Sequence, residues 1–269
     1  MSAVQASKKY RTLCADAVAR IAAEEMDRRE SLKEAIKATK RRLHQVYGAF
    51  ETNLDYETAL AALRAAYSSG DEAAIRQACR QVLGHHTSTR ERLPLLDEFY
   101  PAIWQITGTP PSVLDVGCGL NPLSLPWMGL PAGARYVALD VDCGRIDFLN
   151  RYLSIAGLPP MARCHDALVA PPPDRADVAL LLKMSPTLER QQAGATLHLV
   201  EQLHARHIVV SNAVQSLGGR EKGMAEQYGR QFEGWAEGKS WTIERLQLES
   251  ELVFVVGTHG ENVDTFPRS

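Results

Sequence analysis

Three aspartates follow short apolar runs in the middle part of the sequence, and the first of them precedes a pair of glycines. Asp115 lies two residues before Gly117, and Gly119 completes a Gly-x-Gly turn; Asp140 and Asp166 follow the next two apolar runs. Glycine has no Cβ and tolerates positive φ, so such a turn lets the backbone approach a ligand closely. Carboxylates at successive strand ends can accept hydrogen bonds from hydroxyl and amino groups. The spacing therefore predicts a site for a nucleotide-like cofactor.

The residues around the glycine turn indicate which cofactor is favoured. A dinucleotide-binding fingerprint needs a third glycine three positions after Gly119, but Pro122 stands there. The carboxylate of Asp115 would repel a pyrophosphate, whereas it suits the ammonium and sulfonium charges of S-adenosylmethionine. Asp140 lies where such folds place the acid that binds the ribose hydroxyls, and Asp166 could accept from the adenine amino group. We therefore predict S-adenosylmethionine as the cofactor and S-adenosylhomocysteine as the product. The predicted cofactor-binding residues on this reasoning are Asp115, Gly117, Gly119, Asp140 and Asp166.

A change of periodicity near residue 107 predicts how the chain positions these aspartates. From Ala15 to about Ile106, apolar residues recur at helical spacing, and after the turn-forming residues 107–111 short apolar runs alternate with helical segments. That alternation is typical of a parallel sheet with crossover helices. We predict strands at 112–114, 136–139, 162–164, 178–182, 208–211, 242–248 and 252–256, with helices near 145–156, 189–204 and 224–235. The predicted fold class is α/β, with an all-helical N-terminal domain (1–107) followed by a Rossmann-like, seven-stranded domain (108–269).

Composition sets limits on location and covalent chemistry. The chain has 269 residues, of which 45% are hydrophobic and 23% charged, as in an ordinary globular protein. No apolar run reaches the roughly 18 residues of a membrane span, and the start carries no apolar signal core, so a cytoplasmic protein without a membrane partner is expected. The five cysteines form no CxxC pair, which predicts reduced thiols and no metal site.

One local basic segment stands out against a net charge of −2. Residues 28–42 contain seven basic residues against two acidic ones, a local excess of five positive charges. Such an excess could bind nucleic-acid phosphates, although on an arbitrary helix it is more often a solvated face. Ser31 and Glu34 match a capping box, so a helix should begin within this segment.

The sequence at the end of the fourth predicted strand limits which classes of methyl acceptor are expected. Enzymes that methylate exocyclic base amines usually carry an Asn- or Asp-Pro-Pro-aromatic motif there, whereas residues 182–186 read LKMSP. No Cys-Pro or Pro-Cys pair exists to supply the nucleophile of a pyrimidine C5 methyltransferase. The acceptors left open are ring nitrogens, hydroxyls and small molecules.

Several longer motifs, taken in order, identify a family resemblance over nearly the whole chain. They are residues 7–14 (SKKYRTLC), 88–93 (STRERL), 117–122 (GCGLNP), 188–194 (LERQQAG) and 216–224 (SLGGREKGM). With these motifs the chain resembles the bacterial methyltransferases that modify guanine N7 in the aminoglycoside-binding decoding site of 16S rRNA and so confer resistance. The resemblance implies a class I methyltransferase domain, an N-terminal domain that binds rRNA, and the assembled 30S subunit as partner of a monomeric enzyme.

The same resemblance implies roles for individual residues. Arg92 would pair with the methionine carboxylate of the cofactor, as a guanidinium fork can do. Lys183 would lie beside the target guanine and its phosphate, in a base pocket that Asn121 and Pro122 help to shape, while Arg220 grips the flipped nucleotide from a mobile loop at 218–223. The residues expected to bind RNA are Lys8, Lys9, Arg11, Lys37, Arg41, Arg42 and Lys222.

Guanine N7 carries a free lone pair, so its methylation is a direct displacement that needs no general base. Catalysis would consist of flipping the base, aligning N7 with the methyl group and compensating charge. Two other possibilities remain open: methylation of an adenine N1 in the same rRNA region, and a chain that only binds RNA or that methylates a small molecule. Methyl transfer into 16S rRNA separates the last of these from the others.

Overall fold

Helices make up most of the described chain before residue 108. The computed structural model describes residues 2–48, 53–214 and 220–258. The predicted helical first third is confirmed: it contains α1 (Ser2–Gln5), α2 (Ala15–Asp27), α3 (Leu32–Tyr47), α4 (Tyr56–Ser69), α5 (Glu72–Leu83), α6 (Thr87–Arg92) and α7 (Leu96–Thr107).

Side-chain caps explain where three of these helices begin. The Ser31 side chain accepts from the Glu34 N–H at the start of α3, so the predicted helix start is confirmed. Asp55 and Asp71 cap α4 and α5 in the same way. Each cap satisfies backbone N–H groups that have no partner within the helix.

The second part of the chain forms one seven-stranded sheet, as predicted. The strand order is β3-β2-β1-β4-β5-β7-β6, with β1 to β5 parallel and β7 antiparallel to both of its neighbours. The strands are β1 (Ser112–Val116), β2 (Arg135–Asp140), β3 (Ala162–Cys164), β4 (Arg175–Leu182), β5 (His204–Ala213), β6 (Trp241–Gln247) and β7 (Glu251–Thr258). The helices between them are α8 (Leu125–Met128), α9 (Cys143–Ile155), α10 (Ser185–Gln191), α11 (Ala195–Gln202) and α12 (Arg220–Ala236).

Two apolar layers cover the two faces of the sheet. Alternate residues of β1 point to opposite layers: Val113 packs in a cluster with α4, α5, α7 and α9, and Leu114 packs in a cluster with α10 and α11. A third, smaller cluster joins α2 and α3 through Val18, Ile21 and Leu43. Helices α4, α5 and α7 thus share a core with the sheet, and the division of the chain at residue 107 stays a prediction.

The predicted helix at 189–204 is wrong as a single element. The structure contains α10 and α11, separated at Gly194, which adopts φ 78°, and His204 already belongs to β5. Glycine reaches this left-handed conformation without a steric penalty, so the apolar periodicity continued across a break that only the backbone geometry reveals.

Two cysteines predicted to be reduced form a disulfide. Cys143, at the start of α9, is bonded to Cys164, at the end of β3. The parallel register pairs Asp140 with Cys164, which places the two cysteines side by side although 21 positions separate them. Cys14, Cys79 and Cys118 are free and buried, in agreement with the prediction for those three.

Within the described residues, none of the helices has the length and apolar character that a bilayer crossing requires.

Candidate functional site

A cleft opens at the carboxyl ends of the central parallel strands, where the glycine turn and two of the three predicted aspartates lie. Crevices at this edge are the usual ligand sites of open α/β sheets. The N-terminal residues 9, 10, 12 and 13 and Tyr47 also line it, so the segment before α2 and the last residue of α3 take part in the wall. The main polar and backbone contributions come from His86, Gly117, Gly119, Asp140, Asp142, Arg145, Asp166 and Lys183.

Asp140 ties the glycine turn to the end of β2. Its carboxylate accepts from the Gly119 N–H at 2.8 Å, from the Asp142 N–H at 2.9 Å and from Arg145 Nη1 at 3.1 Å. Gly117 and Gly119 have φ of 65° and 53°, a region that favours glycine. A Cβ on Gly117 would also lie 1.6 Å from the Met184 sulfur. The turn therefore depends on both glycines and on the Asp140 charge.

Asp115 lies beneath the cleft with one oxygen unpaired. Its Oδ2 accepts from Tyr136 Oη at 2.6 Å and from Asn121 Nδ2 at 2.9 Å, while Oδ1 is buried and has no hydrogen-bond partner among the described residues. Burial raises the pKa of Asp115 to about 6, against the opposing effects of Tyr136, Asn121 and Arg92. The unpaired oxygen could accept a cationic donor from a ligand.

Arg92 does not line the cleft but forms a buried ion pair behind it. Its Nε and Nη2 donate to the two oxygens of Glu251 at 3.1 and 2.6 Å, and Nη1 donates to Asn121 Oδ1 at 3.1 Å. The exposed fractions of Arg92 and Glu251 are 1% and 0%. These bonds use three of the five guanidinium N–H groups. Asn121 also accepts from Tyr100 Oη, so it orients both Asp115 and Arg92.

The predicted base-pocket residues fall into two groups. Asn121 and Pro122 lie in a buried 3-10 helix and are not part of the cleft wall, so a direct contact with a base is not supported by their position. Lys183 does line the cleft, where its Nζ lies 2.8 Å from Glu91 and 3.5 Å from Glu251. Among the described residues Lys183 is the one non-glycine residue with positive φ, 58°. Such a conformation costs roughly 1–3 kcal/mol and is found most often at functional sites.

The predicted RNA-binding residues are only partly on the surface. Lys9, Arg11, Lys37 and Arg41 are exposed. Arg42 instead bridges α3 to α2, with Nη1 at 2.5 Å from Glu24 and 3.5 Å from Glu25. These two glutamates lie just before the segment 28–42, which is why counting charge within that segment overestimated its positive surface.

The side chains of three residues with predicted roles lie outside the described part of the structure. The backbone of Arg220 and Lys222 forms the first turn of α12, but their side chains, like that of Lys8, are outside the described part of the structure. Residues 215–219, with the first two glycines of the predicted mobile loop, are also outside it. The roles assigned to these residues stay predictions.

Sequence reasoning missed three residues of the site: His86, Arg145 and Glu251. Burial and the Arg145 guanidinium lower the pKa of His86 to about 4, so its ring is neutral near pH 7. The His86 Nδ1 lies 2.9 Å from Ser88 Oγ. Arg145 is a helix residue three positions after Asp142, and His86 lies two positions before the start of the 88–93 motif, so position alone could have suggested both. Glu251 is one acid in an apolar strand, and no local signal marks it.

The chain is similar to a known family over most of its length. A family model described as ribosomal RNA methyltransferase (FmrO) matches residues 6–255. A Frankia casuarinae protein named 16S rRNA (guanine(1405)-N(7))-methyltransferase is 40% identical over 257 residues, which cover 94% of this chain and 90% of that protein. A Serratia marcescens protein of the same name is 36% identical, with coverage of 97% and 98%.

Solved structures give the same picture. The 16S rRNA methyltransferase RmtF, in complex with S-adenosyl-L-homocysteine, aligns with a TM-score of 0.80 and 34% identity over 96% of both chains. The 16S rRNA methylase RmtB aligns with a TM-score of 0.78 and 33% identity, again over 96% of both chains.

Proposed function

We propose, from the premise that the chain belongs to the ribosomal RNA methyltransferase (FmrO) family, that it transfers a methyl group from S-adenosylmethionine to N7 of guanine 1405 in 16S rRNA. The observation that carries the proposal is the 40% identity, over 94% of the chain, to an enzyme of that name. We further propose that it acts as a monomer on the 30S subunit in the cytoplasm, and that the modification confers aminoglycoside resistance.

The residues of the cleft fit this cofactor. The unpaired Oδ1 of Asp115 suits the cofactor ammonium, and the backbone of Gly117 and Gly119 lines the cleft beside it. Asp140 would accept from the ribose hydroxyls, and Asp166 from the adenine amino group. Arg92 lies behind the cleft, paired with Glu251 and Asn121, and its pairing with the methionine carboxylate stays a prediction from the family resemblance. When bound, the cofactor supplies an electrophilic methyl group on a sulfonium.

The cofactor ammonium should make binding depend on pH through Asp115. Only the ionised carboxylate attracts the ammonium, so binding weakens as pH falls through the pKa of about 6. We expect affinity for S-adenosylmethionine to be about tenfold lower at pH 5 than at pH 7, since about one carboxyl in ten is ionised one unit below its pKa. Calorimetric titration of the free protein measures this. An Asp115→Asn variant should bind weakly at both pH values, and an unchanged pH slope in it would contradict the assignment.

The chain's own part in the chemistry is to position and to compensate charge. N7 has a lone pair and loses no proton, so no residue is required to act as a base. We propose that Lys183, at the cleft mouth, binds the phosphate of the target nucleotide, and that Arg220 and Lys222 hold the flipped nucleotide. Asn121 acts indirectly, through Asp115 and Arg92, and Pro122 starts the buried helix that fixes it.

Methyl transfer into isolated 30S subunits tests the function. The expected product is 16S rRNA whose labelled guanine gives strand cleavage after reduction and aniline treatment, as N7-methylguanine does. A reverse-transcription stop without cleavage would indicate N1-methyladenine instead. Absence of label from rRNA, in a protein that binds S-adenosylmethionine, would favour a small-molecule acceptor and would overturn the proposal.

Exposed lysine and arginine of α3 should contribute to 30S binding. Reversing Lys37 and Arg41 to glutamate is expected to weaken 30S binding at least about tenfold near 0.1 M salt, because phosphate contacts dominate such affinity. Arg42 is left unchanged because its ion pairs stabilise the α2–α3 contact. Filter binding at several salt concentrations measures the effect.

A matched pair of charge reversals separates a local contact from net charge. Arg64 and Arg206 are exposed and do not line the cleft, and reversing both to glutamate gives the same change of net charge. Equal loss of 30S binding in the two double variants would mean that only net charge matters. Cofactor affinity should stay unchanged in both.

A further inference from the structure

Helix α2 contacts a wall residue of the cleft through one half-buried arginine, Arg20, that the proposed function does not use. Arg20 Nε and Nη2 donate to the same oxygen, Oδ2 of Asp166, at 3.1 and 3.0 Å. The side chains of Arg20 and Asp166 are 17% and 4% exposed, and the two residues are 146 positions apart. The contact therefore joins the N-terminal helices to the third aspartate of the site.

The guanidinium is held from several directions. Nη2 also donates to Gln191 Oε1 at 2.8 Å, and Nη1 lies 3.4 Å from Glu24 Oε1. Tyr47 Oη donates to the same Gln191 oxygen at 3.4 Å. With these bonds every N–H of Nε and Nη2 has an acceptor on the protein, so those two nitrogens have none left for a ligand.

The other oxygen of Asp166 is fixed from the opposite side. Oδ1 accepts from the Leu168 N–H at 2.9 Å. Oδ2 already accepts two bonds from Arg20, whereas Oδ1 accepts one and keeps a second lone pair, so Oδ1 is the oxygen that can accept from a ligand while the plane of the group is held. A carboxylate that is held in one orientation discriminates better than a mobile carboxylate between two kinds of ligand: those with a hydrogen-bond donor at a given position and those with an acceptor there.

The backbone before α2 fixes the position from which Arg20 extends. Leu13 forms an antiparallel bridge with Asp142, in the loop after β2. The Cys14 N–H donates to the Val141 carbonyl, and the Cys143 N–H donates to the Thr12 carbonyl, both at 2.7 Å. Helix α2 begins at the next residue, so its first turns are held directly against the cleft.

We propose that Arg20 is a positioning residue for the cofactor's base: it orients Asp166 so that the site prefers a 6-amino purine over a 6-oxo purine. The inference rests on the proposed contact between Asp166 and the adenine amino group. It means that the specificity of the cofactor site depends on an N-terminal helix as well as on the sheet.

The test compares two ligands that differ in that one substituent. The full-length protein is titrated with S-adenosylhomocysteine and with S-inosylhomocysteine, which carries a carbonyl in place of the amino group. We expect Arg20→Gln to weaken binding of the adenosine ligand about tenfold and to weaken binding of the inosine ligand less than about twofold. The discrimination then falls about five- to tenfold, or by about 1.0 to 1.4 kcal/mol. Arg20→Lys, which keeps one charged bond, should fall between Arg20→Gln and the unchanged protein.

Two further variants make each outcome decisive. Arg80 also ties one helix to another by an ion pair, to Asp97 at 3.0 Å, and lies outside the cleft wall, so Arg80→Gln controls for loss of stability. Equal weakening of both ligands by Arg20→Gln, or of neither, overturns the inference. If Asp166→Asn lowers the preference while Arg20→Gln does not, only the inference fails; if Asp166→Asn retains the full preference, the contact with adenine fails as well.

Discussion

Replacing Asp140 with asparagine is expected to weaken binding of S-adenosylmethionine by at least about 100-fold. The charged carboxylate accepts from the glycine turn and from Arg145, and in the proposed complex it accepts from two ribose hydroxyls as well. Hydrogen bonds to a charged group contribute about 1.5–3 kcal/mol each, and 100-fold corresponds to about 2.7 kcal/mol. An amide keeps the shape but has one acceptor oxygen and a donor where a second acceptor stood. Calorimetry of the purified variant measures the affinity.

A carboxylate elsewhere on the sheet provides the control. Asp177, in β4, accepts from Ser112 Oγ at 2.6 Å and does not line the cleft. Asp177→Asn should therefore lower the melting temperature without changing cofactor affinity. The assignment of Asp140 would be wrong if a folded Asp140→Asn protein bound S-adenosylmethionine within about threefold of the unchanged protein.

Replacing Lys183 with methionine is expected to reduce the methylation rate on 30S subunits about 100-fold while cofactor affinity changes only a few-fold. The ammonium lies between Glu91 and Glu251. Glu251 keeps its bonds to Arg92, but removal of the ammonium leaves the Glu91 carboxylate without this partner at the position where we place a nucleotide phosphate. Repulsion between these charges opposes entry of the target nucleotide. A 100-fold loss corresponds to about 2.7 kcal/mol of transition-state stabilisation. Single-turnover methylation with excess enzyme separates this step from 30S binding.

Two variants show whether charge at this position is the cause. Lys183→Arg keeps the positive charge and should recover part of the rate. Lys239 is another ion-paired lysine, bound to Glu201 and placed over the Trp241 ring, and it does not line the cleft. Lys239→Met should leave the rate unchanged, and a loss as large as that of Lys183→Met would argue against a specific role.

Local patterns predicted the architecture well because each depends on neighbouring residues. Helical spacing, the cap at Ser31 and the alternation after residue 107 are properties of short segments, and the seven-stranded sheet follows from them. The single predicted helix at 189–204 was wrong because the chain breaks between α10 and α11, where Gly194 is left-handed, within a continuous apolar pattern. Periodicity records which side of a helix is apolar and does not record backbone φ.

Predictions about the site succeeded for residues that their position at a strand end marks. They failed for residues whose ion-pair partner comes from a distant segment of the chain. Gly119 and Asp140 were recognised from strand-end position, and the structure joins them by a hydrogen bond. Glu251, the buried partner of Arg92, comes from a strand 159 positions later, and Arg42 is paired with glutamates of another helix. Ion pairs of this kind require packing of distant segments, and a sequence window cannot show them.

The sequence by itself determined that three acids end successive parallel strands, and its long motifs carried the resemblance to the rRNA methyltransferases. The tertiary structure decided how those acids are held: Asp140 by the glycine turn, Asp115 beneath it with one unpaired oxygen, and Asp166 by Arg20 from α2. It also decided which basic residues remain on the surface and which cysteines are bonded. The reason is that strand and helix patterns arise from neighbouring residues, whereas the charge state and orientation of a buried group depend on partners that only folding brings within hydrogen-bond distance.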